Sequence, residues 1–221
     1  SRAEASGIYQ GKFDQQKALA GYRYLAGKKL AVCPTLTGGY QRAYPDKDNH
    51  HKDQYLQYLT KRFQSKYDWK PAGQAPETEA RLQQRRDNFL FLSKQLPLMQ
   101  SAGMVILAGT DAAAMNSFIY PGISLHQELE IYQEAGMTPL SVLQSATING
   151  ANYFGVLDSL ATLDAGKIAD IVLLNDNPLN NITATKNIFA VIKNGVYFDR
   201  AALDTLLEMA RQKKIELDAM R

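Results

Sequence analysis

Asp111, His126 and the adjacent pair His50 and His51 are the residues whose types could serve a hydrolytic or metal-binding site. Asp111 follows the apolar run Met104 to Ala108 (MVILA) through Gly109 and Thr110. A run of that kind predicts a strand covered on both faces, with Gly-Thr letting the chain turn sharply beyond it. In α/β barrels the loops at the C-terminal strand ends converge on one pocket. A carboxylate there can bind a divalent metal and accept a proton from metal-bound water. It can equally cap the following turn. His126 falls in the first turn of the next helix, which starts at the face where the strand ends. It could contact substrate or metal there, or lie on the surface. His50 and His51 diverge on a helix or a strand, cannot both grip one metal, and read as surface residues.

These are the 3 histidines of the chain. No His-x-His pair and no His-Glu-x-x-His stretch occurs. A hydrolytic zinc site needs three protein ligands and an open position. One carboxyl and one imidazole do not meet that need, so the chain alone is expected not to hold a catalytic metal. Neither a phosphate-binding Gly-rich loop nor a Gly-x-Ser-x-Gly nucleophile elbow is found. The charge of +3 is scattered among carboxylates, without the basic stripe of a nucleic-acid binder. No apolar stretch reaches transmembrane length. The single cysteine, Cys33, lies in an apolar run and is expected to be a buried small hydrophobe. The chain opens Ser1-Arg2-Ala3 without an initiator methionine, so an upstream start is expected, and localisation stays unknown.

The elements that must position these residues alternate. Phe13 to Ala26 predicts a helix stopped by Gly27. Lys29 to Leu36 (KLAVCPTL) predicts a buried strand, Thr37 to Asn49 a polar loop, and His50 to Tyr67 a helix. Trp69 to Pro76 predicts a loop. Thr78 to Ala102 predicts a long helix kinked or restarted at Pro97. After the loop Ala112 to Ile123, Ser124 and Gln127 have the form of a capping box for a helix reaching Gly136. Met115, Phe118 and Tyr120 of that loop suggest an apolar or aromatic pocket wall, or simple packing. Thr138-Pro139 opens a helix carrying Leu140 and Leu143 toward Asn149 or Tyr153. From Gly155 the texture changes: Ala169 to Leu174 predicts a strand, and Ile188 to Asp199 a hairpin turning on Asn194-Gly195. Ala201 onward predicts a charged amphipathic helix. Alternation followed by terminal strands implies a parallel sheet or barrel with a smaller sheet beside it.

Taken in order, several stretches resemble the amidohydrolase superfamily, in its imidazolonepropionase-like and prolidase-like branch. They are Met104 to Asp111 (MVILAGTD), Pro121 to Gly136 (PGISLHQELEIYQEAG), Met137 to Gly155 (MTPLSVLQSATINGANYFG), Leu163 to Leu179 (LDAGKIADIVLLNDNPL) and Ile188 to Gly195 (IFAVIKNG). Upstream, Ala31 to Leu36 (AVCPTL) is similar to the strand region after the family's last histidine ligand. The resemblance implies an α/β fold: the C-terminal part of a distorted (β/α)8, TIM-like barrel over 1–155, return strands of a small β-sandwich over 156–200, and a C-terminal helix over 201–221.

It also implies one or two divalent metals, commonly zinc, at the strand ends. Of the family's ligands only the last aspartate maps here, onto Asp111; the others would fall before Ser1. The implied activity is hydrolysis of C–N bonds in amides, dipeptides or cyclic amides, with Asp111 as metal ligand and proton shuttle; His126, by its position alone, is the candidate substrate contact. The implied partners are a small amide or dipeptide substrate and an N-terminal barrel half; no nucleic acid or membrane partner is expected, and a homo-oligomer is left open. The alternative is a non-catalytic, barrel-derived module that binds small molecules or a partner. As a half barrel, the chain is expected to show open sheet edges and exposed apolar faces, and to be inactive alone.

Overall fold

A computed structural model describes residues 11–67, 78–112 and 117–220. Helix α1 (Gln15–Gly27) begins where Asp14 accepts hydrogen bonds from the amides of Gln16 and Lys17. Strand β1 (Ala31–Val32) follows and pairs in parallel with β2 (Val105–Ile106). Both strands are much shorter than the apolar runs predict. After β1 the backbone turns at Thr35, whose φ is 50°, into helix α2 (Leu36–Ala43), where a polar loop was expected.

The segment expected as one helix from His50 to Tyr67 is instead two 3-10 turns, His50–Lys52 and Gln54–Tyr58, and then helix α3 (Lys61–Tyr67). Asn49 accepts from the His51 amide, and Asp53 between the two turns is extended. Short polar side chains of this kind divert backbone groups away from a continuous helix. The loop expected over Trp69 to Pro76 lies outside the described residues. Helices α4 (Glu79–Ser93) and α5 (Gln95–Ser101) show the expected restart, because Pro97 has no amide to offer the Ser93 carbonyl.

Beyond β2 come α6 (Ile123–Glu134), α7 (Pro139–Ser145) and α8 (Ile148–Tyr153). The capping position of α6 is Gly122, at φ 77°, rather than Ser124. The Ser124 hydroxyl instead accepts from the Tyr120 amide at 2.8 Å, tying the incoming loop to the first turn. Thr138 caps α7 with Pro139 in its first turn, as expected. The chain then breaks at Thr147 before α8, where a single helix was expected.

Strand β3 (Ile171–Leu174) pairs antiparallel with β4 (Ile188–Lys193), which pairs with β5 (Val196–Phe198). Asn194 and Gly195 both have positive φ, 50° and 79°, the requirement of the two-residue turn expected there. Helix α9 (Arg200–Ala219) follows, and its Asp218 accepts from the Lys61 amide at the start of α3. No helix of the described residues is long and apolar enough to cross a membrane.

The core joins Leu36 and Ala43 of α2, Phe89 of α4, Ile106 of β2, Tyr132 of α6 and Val142 of α7. Each large side chain among them contributes about 1.5–3 kcal/mol through burial. Val105 of β2 remains 40% exposed, so this strand is covered on one face and not on both as expected.

The edges of β2 also differ from expectation. Leu107 donates to the Val32 carbonyl at 2.8 Å, on the β1 side. Backbone groups alternate along a strand, so Ile106 and Ala108 face the opposite edge. There the Ile106 carbonyl accepts from Asn149 Nδ2 at 2.9 Å, and the Ala108 amide donates to the Ser145 carbonyl at 2.9 Å. Groups from the α7–α8 junction thus occupy an edge expected to be open. In the small sheet, Val172, Phe189, Val196 and Tyr197 are each more than half exposed.

Candidate functional site

The candidate site lies where the chain leaves β1 and β2. Asp111 adopts φ 52°, a left-handed conformation that aspartate tolerates better than most residues. It is the turning residue here; Gly109 is not at positive φ. Glycine at 109 answers a demand for space, since a Cβ there would stand 2.5 Å from Cys33 Sγ. Cys33 is exposed rather than buried, its sulfur lying across the Gly109 backbone. Desolvation, followed by the charges of Glu128 and Asp111, pushes the Cys33 thiol above its ordinary pKa, outweighing a hydrogen bond from the Thr35 amide. A thiol so placed stays protonated and is a poor nucleophile. The Asp111 side chain is exposed and makes no hydrogen bond among the described residues, so neither of its oxygens is engaged as a local cap.

Glu128 is the residue that sequence reasoning missed. It is fully buried on α6, and its two oxygens accept from the Leu36 amide at 2.7 Å, the Thr37 amide at 2.7 Å and the Thr37 hydroxyl at 2.6 Å. Thr35, at the capping position of α2, makes no side-chain cap bond. Glu128 therefore does across 92 residues of sequence what a capping side chain does locally. The available signal was its place in SLHQELE: an acid one turn into a helix, on the face that carries Leu129 and Tyr132 into the core. Tyr132, also fully buried, donates from its hydroxyl to the Leu107 carbonyl at 3.0 Å. Its pKa is raised, first by burial and then by the Glu128 charge, which keeps the hydroxyl a donor.

His126 lies in the first turn of α6, as expected, and is engaged from the side of a later turn. Its Nδ1 lies 2.9 Å from the Thr185 hydroxyl, in the 3-10 turn Ile182–Lys186. Burial, then the Lys186 charge, lowers its pKa, against a smaller opposite effect of Glu130. That shift favours the neutral imidazole. His50 and His51 flank Phe118, one stacked at 5.3 Å and 18°, the other edge-on at 5.3 Å. Tyr120 is 5% exposed and Phe118 is half-buried, so Tyr120 is packing rather than a free pocket wall. Met115 lies outside the described residues.

The bonds of His50 run to Asp53 and those of His126 to Thr185, so neither imidazole engages Asp111. Among the described residues no three His, Cys, Asp or Glu side chains converge on a point where a metal could sit. The described residues by themselves do not fit a catalytic metal.

Residues 92–197 match the model of the amidohydrolase family. No curated protein matches the chain at a significant level. Solved structures similar to it include a bottromycin amidohydrolase, at 22% identity and a TM-score of 0.66 over 83% of this chain and 40% of that one. A protein from Bifidobacterium longum assigned as a prolidase is 27% identical, with a TM-score of 0.51 over 81% of this chain and 39% of that one. A Xaa-Pro dipeptidase with bound methionine is 21% identical, with a TM-score of 0.51 over 76% and 34%. The chain therefore spans well under half the length of these neighbours. The family match and the neighbours bear out the resemblance to the amidohydrolase superfamily that the motifs carry. That family is metal-dependent in general, and its folds are of the TIM-barrel type.

Proposed function

We propose that the protein is a hydrolase of C–N bonds in small amides, dipeptides or cyclic amides, in which Asp111 moves the proton. The observation that carries this reading is Asp111 itself: an exposed carboxyl, free of local bonds, on the turn that leaves a parallel strand inside the segment matching the amidohydrolase family. In the proposed step a water loses a proton to Asp111 while its oxygen bonds to the substrate's carbonyl carbon. The C–N bond then breaks, and Asp111 returns the proton to the departing nitrogen. His126, engaged with Thr185, is given no part in the step.

The β1–β2 pair is proposed to be two neighbouring strands of a (β/α)8 barrel, with residues 1–155 its C-terminal portion. Residues 156–200 are proposed as return strands of a small β-sandwich, and 201–221 as an appended helix. A divalent ion, zinc by the family's habit, is proposed for the complete protein, with Asp111 as one ligand and the remainder supplied from outside the described residues. The described residues do not assemble that ion's cage, and no step above is assigned to it.

The test is turnover of a panel of dipeptides, Xaa-Pro included, and N-acyl amino acids by the full-length protein and its Asp111→Asn variant. Loss of a positioned proton-transfer group is expected to lower kcat by roughly 10²–10⁴-fold. Near-normal turnover with metal content unchanged would overturn the assignment. A full-length preparation that binds no metal and cleaves no panel member would favour the non-catalytic binding module instead.

A further inference from the structure

The two loops that leave the strand ends meet at a group of side chains to which the reaction above gives no role. His50 Nδ1 lies 2.8 Å from Asp53 Oδ2, and the same oxygen accepts from the Tyr120 hydroxyl at 2.8 Å. Tyr120 is 5% exposed, and its pKa is raised by burial and by Asp53, so its hydroxyl remains a donor. With Asp53 the acceptor in both bonds, Nδ1 is the donor, and in the neutral imidazole Nε2 then presents a lone pair. Among the described residues Nε2 has no hydrogen-bond partner, and the His50 side chain is 20% exposed. A carboxylate that sets a histidine's tautomer and aim is the arrangement by which proteins present imidazole nitrogen to a ligand.

The ring is aimed as well as polarised. It stacks on Phe118, whose amide donates to Gln41 Oε1 at 2.8 Å and whose carbonyl accepts from Gln41 Nε2 at 2.9 Å. Gln41 belongs to α2, which starts directly after β1, and Phe118 lies on the chain leaving β2 past Asp111. Tyr67 donates to the neighbouring Ile119 carbonyl at 3.0 Å. His50 is therefore held, through Phe118 and Gln41, against the segments that follow both strands, the second of which begins at Asp111. A solvated surface histidine requires none of these contacts.

We propose that His50 is a substrate-contacting residue of this site, its Nε2 accepting a hydrogen bond from an N–H group of the substrate, with Asp53 and Tyr120 as positioning residues. The inference rests on the C–N hydrolase reading for the identity of the substrate, and on the His50 geometry for the contact. In the full-length protein, His50→Ala is expected to raise KM for the fastest-cleaved panel member about tenfold, the scale of one lost hydrogen bond, and to leave kcat nearly unchanged. His50→Gln, which retains an acceptor, is expected to recover part of the loss. An unchanged KM in His50→Ala would overturn the proposal.

Nitrogen-15 spectra of the wild-type imidazole supply a readout that does not depend on turnover. Nδ1 is expected to be the protonated nitrogen, and Asp53→Asn is expected to abolish that preference. Titration with L-prolinamide, which carries amine and amide N–H groups, is expected to move the Nε2 resonance to saturation. A proton found on Nε2, or a resonance that prolinamide does not move, would overturn the contact even if the panel establishes hydrolysis. A saturating shift with no panel member cleaved would keep the contact and sink the hydrolase reading.

Discussion

The parallel strand pair with its helices and the antiparallel sheet of residues 171–198 use opposite means to hold backbone in place. In the sheet, β4 and β5 are joined by two residues whose positive φ angles set the register, and the ladder then satisfies neighbours close in sequence. In the parallel region each strand is only two residues long, and most of the work falls to distant side chains. Glu128 holds the start of α2, Tyr132 holds the Leu107 carbonyl, Asn149 holds Ile106, and Gln41 holds both backbone groups of Phe118. The region that carries the candidate chemistry is thus organised by long-range polar contacts, and the region beside it by local turn geometry. Substitutions in the first should therefore spread to the strand ends, while those in the second should stay where they are made.

The sharpest attempt to break this contrast is Glu128→Ala. It leaves the Leu36 and Thr37 amides and the Thr37 hydroxyl without an acceptor in the core. Because each buried donor so orphaned carries a penalty of its own, a loss of roughly 3–5 kcal/mol is expected in urea unfolding of the full-length protein. A loss below about 1 kcal/mol would show that α2 does not depend on α6 for its cap.

A smaller effect is expected from Gly109→Ala, whose new Cβ would meet Cys33 Sγ at 2.5 Å. Overpacking of that kind should destabilise by about 1–3 kcal/mol. Adding Cys33→Ala removes the obstructing atom, so the double variant should regain most of the loss. A double-mutant cycle measures this coupling, and strict additivity would mean that the two strand ends do not touch.

The smallest effect belongs to the sheet. A Cβ added at Gly195 would find no atom within 4 Å, so Gly195→Ala meets open space and only its φ of 79° is strained. A loss of about 1 kcal/mol is expected, with no partner substitution able to restore it. Hydrogen exchange should place the change in β4 and β5 alone. Loss of protection in β1 or β2 would erase the distinction between the two regions.

Much of the fold was legible in the residues. Thr138-Pro139, Pro97 and Asn194-Gly195 mark their elements because capping, a missing amide and positive φ are properties of one or two neighbouring residues. The departures share a different origin. Leu36 to Ala43 is helical because Glu128 satisfies its first amides, and nothing in LTGGYQRA announces a cap that arrives from another helix. The chain from His50 to Tyr67 has helical periodicity in part, yet Asn49 interrupts it by a local bond to the His51 amide and Asp53 by a bond from the distant Tyr120. Ser124 has the look of a cap and serves instead as an acceptor for Tyr120.

The candidate site divides in the same way. That Asp111 follows a strand, that few histidines are available, and that the motifs resemble those of the amidohydrolase family could be read from the residues and their order. Where His126 points, why Gly109 cannot carry a side chain, and how His50, Asp53 and Tyr120 come together did not. Residue order determines local conformation and the supply of chemical groups. Only folding decides which of those groups, separated by tens of residues, share a hydrogen bond, because burial then obliges every donor and acceptor to find a partner wherever the chain happens to bring one.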